Sequence, residues 1–132
     1  MRAALRLGMA LVVLAALFVP SRAQERPPAD VAWTRVHAAA EKGVEQARTA
    51  LEGGRFELED VEAYARWSAR VVEAGLRAGQ PPAELHAAHT ARLQRLVTDT
   101  RRRRDVGAAS ELHLTIAEYH QAHAEAWAAG AR

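Results

Sequence analysis

Gly53–Glu73, GGRFELEDVEAYARWSARVVE, decides the reading of the whole chain. Paired glycines supply a left-handed cap and a turn, so they end whatever helix precedes them. Glu57, Glu59 and Asp60 suit the positive end of a new helix. Val61, Tyr64/Ala65, Ser68, Val71/Val72 and Gly75/Leu76 then recur at steps of three and four, marking one face of that helix. Trp67 sits beside this face as a large edge-of-core anchor. A looser copy of the plan, with break, acidic start and helix, runs from Asp105 to Trp127. The chain is therefore expected to form two helical hairpins in tandem.

Working outward, Asp30 is a good N-cap for a first helix. Its stripe is Trp33, Val36, Ala40, Val44, Ala47 and Leu51. Beyond the second helix, Ala78-Gly79-Gln80-Pro81-Pro82 is a strong break, with Pro82 acceptable in a first turn. Either the chain folds back there or it kinks. The third helix carries Leu85, His89, Leu93, Leu96/Val97 and Thr100. Arg101–Arg104 suit its negative C-terminal end. Asp105-Val106-Gly107 breaks the chain and Ser110 can cap a fourth helix. The stripe expected on it is Leu112, Ile116, Tyr119, His123 and Ala126/Trp127. Period-two alternation is absent and β-branched residues are sparse, so no strand competes. The expected class is all-α, with a four-helix domain over residues 30–129. The two hairpins form an up-down four-helix bundle or, alternatively, an elongated antiparallel coiled coil. Alanine-rich stripes bury little area per residue, so a homodimer would help a marginal monomer.

The first 23 of the 132 residues read as a secretory signal peptide rather than as part of the domain. Arg2 and Arg6 give a basic start, Leu7–Val19 is apolar, and Ser21-Arg22-Ala23 predicts cleavage after Ala23. Gln24–Ala29 is a short polar leader, expected to be disordered. The chain has no cysteine, so packing must hold it together without disulfides. Three of the 18 basic residues, Arg2, Arg6 and Arg22, leave with the signal, while all 16 acidic residues stay. The basic balance is thus partly an export signal and not a nucleic-acid footprint. A periplasmic or secreted protein is expected, with no stable membrane anchor after cleavage.

The run GGRFELEDVEAYARWSARVVEA resembles predicted secreted proteins of planctomycete-type bacteria. In those proteins a glycine turn leads to an acidic start, then Trp-Ser, Arg and Glu-Ala. Ala87–Leu93, with His89 and Arg92, resembles their His-x-x-Arg run, and Ala117–Trp127 resembles their final helix. The resemblance spans roughly Gly53–Trp127. That family has no assigned activity, so it implies helical structure and export and no catalytic role. The glycine-turn hairpins are also similar in style to the periplasmic hairpins of TolC-type efflux proteins. The chain lacks the barrel strands of that family, so this likeness implies at most a shared hairpin tip.

The six histidines are the most informative polar residues. His86/His89 and His120/His123 have i, i+3 spacing, which places each pair on one side of a helix. In an antiparallel bundle His37, His86, His89, His120 and His123 gather at the end away from the hairpin turns, with Glu41, Glu73 and Glu84 nearby. Imidazoles and carboxylates on facing helices bind first-row metals such as Zn, Cu, Ni or Co. Against this, His89 and His123 lie on or beside apolar stripes, where hydrogen-bonded core histidines are common. A pH-responsive cluster is a third reading. Arg101–Arg104 read as a solvated helix end or as an anionic contact. Trp33, Trp67 and Trp127 read as packing anchors. No serine, threonine or lysine sits in a nucleophile motif, and no glycine loop suits phosphate, so no enzyme and no cofactor are expected. Two functions remain. One is association with a protein partner or a second copy through helical surfaces; the other is metal binding at the histidine end.

Overall fold

The computed structural model describes residues 28–130. Four helices follow in order: α1 (Ala29–Gly53), α2 (Leu58–Arg77), α3 (Pro82–Asp105) and α4 (Glu111–Ala128). No strand occurs among the described residues. The expected signal peptide, its cleavage point at Ala23 and most of the leader lie outside them. Among the described residues no helix is long and apolar enough to cross a membrane.

Each break falls where the local chemistry requires it. A Cβ on Gly54 would lie 2.5 Å from the Ala50 carbonyl oxygen, so only glycine fits the end of α1. Glu57 caps α2, and its backbone N–H donates to Asp60 Oδ2 at 3.2 Å. Gly79, with φ at 79°, and Gly107, with φ at 76°, provide the left-handed steps after α2 and α3. Pro82 occupies the first turn of α3, where a missing N–H costs nothing. The chain folds back at Pro81-Pro82 and does not merely kink, since α3 returns along α2 and Ser68 meets His89.

Two hairpins result, α1–α2 and α3–α4, joined through α2, which packs on both α3 and α4. The backbone of α1 approaches that of α2 alone; no Cα of α1 comes within 8 Å of one on α3 or α4. Two glycines set the close approaches. Gly43 of α1 faces the Trp67 indole, and Gly75 of α2 makes room for Leu85 and His37. The core runs from Val44 and Leu51 through Val61, Tyr64 and Val71 to Leu93, Leu96 and Leu114.

At the turn end the hairpin tips are clasped together. Phe56 holds a positive φ of 59°, unusual for a bulky residue, and is buried. Its ring stacks on His113 with centroids 5.6 Å apart, and the Arg103 guanidinium covers it at 4.4 Å. His113 Nε2 lies 2.8 Å from the Phe56 carbonyl, while its Nδ1 accepts from the Ser110 N–H at 3.1 Å. An accepting Nδ1 places the ring proton on Nε2, so that nitrogen donates to Phe56. Burial of the ring and this donated bond together offset the backbone strain.

One expected stripe, on α4, is rotated, and the one on α1 misses at a single residue. On α4 the buried residues are Leu114, Ala117 and Ala124, not Leu112, Tyr119 and His123. Leu112 and Tyr119 are 53% and 64% exposed, and His123 and Ala126 face solvent. Ile116 and Trp127 sit at the edge, partly buried. The reason is size: two alanines carry a weak apolar signal, yet they let α4 approach α2 and α3 closely. On α1, His37 is buried where Val36 was expected, and Val36 is exposed.

Candidate functional site

His86, His89 and His123 do share one end of the molecule, but an indole occupies the space between them. Trp127 lies 5.0 Å from His86, 6.0 Å from His89 and 6.4 Å from His123, ring centroid to centroid. His37 sits apart in the α1–α2 seam, with Nδ1 3.2 Å from Gln80 Nε2. His120 turns to α2 and meets Glu62 at 2.9 Å. Among the described residues no group of three or more histidine, aspartate or glutamate side chains is placed to hold a metal ion. The five histidines expected to gather, His37, His86, His89, His120 and His123, thus do not form one set: the rotation of α4 carries His123 outward, while His89 stays in the core.

His89 is the buried member, only 2% exposed. Its Nδ1 lies 2.8 Å from Ser68 Oγ, and Arg92 Nη1 reaches the same oxygen at 3.5 Å. The bond to Ser68 Oγ satisfies Nδ1 in either tautomer of the neutral ring. Burial lowers its pKa from 6.5 to about 4, and the neighbouring Arg92, His86, His123 and His120 push the same way. His89 is thus a hydrogen-bonded core histidine. His86 and His123 line a pocket of about 760 Å³ with Glu73 and Trp127, and His86 Nδ1 is buried there without a hydrogen-bond partner.

The arginine run is spent on the fold. Arg101 binds Glu118 at 3.0 Å, Arg104 binds Asp105 at 2.8 Å and Glu111 at 3.3 Å, and Arg102 faces Asp99 at 3.9 Å. Arg103 donates to the Leu51 carbonyl at 3.1 Å, tying α3 to the end of α1. The tryptophans also act as anchors: Arg70 covers Trp67 at 4.6 Å and Arg77 covers Trp33 at 4.4 Å.

A second concave feature had no signal in the apolar pattern. Because α1 does not close on α3, a cleft of about 610 Å³ lies between them, floored by Tyr64 and Leu96. Arg92, Arg95, Asp99 and Arg102 wall it on the α3 side. Their spacing of three, four and three marks one helix face, which is the signal that could have revealed it. Comparison with protein-family models, curated proteins and solved structures returned no match.

Proposed function

We propose that this chain is an exported, non-enzymatic helical protein that works by association, with the outer face of α4 as its contact surface. One observation carries the reading: α4 has two apolar stripes, and the one with the larger side chains faces out. Leu112, Tyr119 and Ala126 recur at intervals of seven, with Thr115 and Ala122 between them, and all five are exposed. That is the a/d spacing of a coiled-coil seam. Small residues at three of the five positions permit close helix approach. The same face on a second copy is self-complementary, so an antiparallel α4-to-α4 pair is the simplest occupant.

Sedimentation velocity tests this reading. The chain should form a dimer, and Leu112→Glu/Tyr119→Glu should weaken dimerisation by at least about tenfold while the helical circular dichroism stays unchanged. A wild-type chain that stays monomeric at every concentration would remove self-association. The same double variant would then test capture of a protein partner.

A second reading, metal binding, rests on the unpartnered His86 Nδ1, since Glu73, His86 and His123 line one pocket without forming a ligand set. Zn, Cu, Ni or Co bound there would raise the melting temperature by mass action. A shift lost in His86→Ala/His123→Ala would favour this reading, and no shift with any of the four metals would end it.

A further inference from the structure

Five arginines and three carboxylates line the α1–α3 cleft. The carboxylates are matched from within. Glu45 and Glu52 both bind Arg48, the latter at 2.7 Å, and Asp99 faces Arg102. Arg103 is engaged by the Leu51 carbonyl and the Phe56 ring. Arg92 and Arg95 are different: among the described residues neither pairs with a carboxylate. Arg92 makes only the long bond to Ser68, and Arg95 reaches back to the Ala91 carbonyl of its own helix at 3.4 Å. They stand three residues apart on one helix face, where Cβ atoms are about 5–6 Å apart, so two guanidinium forks can share one anionic group.

The facing parts of the cleft fit the rest of such a ligand. Tyr64 from α2 lines the same space, and burial pushes its phenol up from 10.0, keeping it a hydrogen-bond donor. Beside the arginines Val44, Leu51 and Leu96 line the cleft as its apolar part. Small-molecule sites span about 300–1,000 Å³. The cleft falls within that range.

We propose that the α1–α3 cleft binds a small amphipathic organic anion, its carboxylate or phosphate head held by Arg92 and Arg95 and its apolar body lying on Val44, Leu51 and Leu96. This site is independent of the association face on α4.

Calorimetric titration of the full chain with octanoate, phenyl phosphate, inorganic phosphate and octanol tests it. Octanoate or phenyl phosphate should bind saturably at one site, and the tighter of the two identifies the head group. Binding should weaken by about tenfold or more in Arg92→Gln/Arg95→Gln, since two charge-assisted bonds are lost. Arg95→Gln alone leaves the Ser68 contact of Arg92 intact and should show part of the same loss. Arg101→Gln, outside the cleft, should bind like the wild type. Added salt should weaken binding, and octanol should not compete. Equal binding by the wild type and both cleft variants would overturn the arginine site. Inorganic phosphate binding as tightly as the amphipathic probes would overturn the apolar part. No saturable binding of any probe would overturn the proposal entirely.

Discussion

Acidification from pH 6.5 toward pH 4 should lower folding stability by about 2–3 kcal/mol through His89 alone. The imidazole is buried on Ser68 and has Arg92 and His86 on its own helix and His120 and His123 across on α4, all of which disfavour a positive charge there. Its folded pKa, about 4, is below the ordinary 6.5, so the unfolded chain takes up the proton first. The stabilisation is complete above pH 6.5 and is lost as pH falls through this window. Urea unfolding across the interval, with His89→Gln as reference, measures it. Gln is neutral throughout, so the variant should have a flatter profile, and equal slopes for both proteins would refute the assignment. Glu45 has a lowered carboxyl pKa through its bond to Arg48, and its contribution is lost only at lower pH.

Gly43→Ala should lower stability by about 1–2 kcal/mol, although alanine favours helix over glycine by about 1 kcal/mol. An added Cβ would lie 2.8 Å from Trp67 Cε2 and closer still to Cδ2 and Cε3. Those are atoms of a rigid ring, and Arg70 covers the indole, so the ring cannot give way by a simple rotamer change. The methyl therefore pushes α1 off α2, the one helix its backbone approaches. Gly53→Ala is the matched control, because a Cβ there meets nothing within 4 Å. Thermal melts of the pair, with near-ultraviolet circular dichroism following the indoles, check both. A stabilised Gly43→Ala protein would show that the seam has slack.

Legibility in the sequence follows side-chain size. On α3 every expected core residue, Leu85 through Thr100, is buried, because large side chains dominate its apolar face. On α2 the stripe also holds, with Ala74 added and Leu76 at the edge. On α4 the core contact is made by Leu114 and two alanines, and the pattern follows the bulky residues left outside. The same phase error moved His123 into an expected metal cluster. Chain reversal puts three histidines at one end, and that much is legible. Whether they face one another depends on helix rotation, which a period of 3.6 does not fix to the residue. Gly43 and Phe56 carry no periodic signal, and the cleft depends on α1 not reaching α3, a fact of tertiary packing alone.

The pairing order has a consequence for how the chain assembles. Helix pairs adjacent in sequence, α1·α2, α2·α3 and α3·α4, supply most of the packing, and α2·α4 adds the longer-range remainder. Low contact order of this kind permits folding on the order of microseconds to milliseconds. Each helix meets its main partner as soon as the next one follows it, so the structure can grow from one end to the other. The Phe56–His113 clasp, the Arg103–Leu51 tie and the His120–Glu62 bond must wait for distant chain, so each needs both hairpins to have arrived.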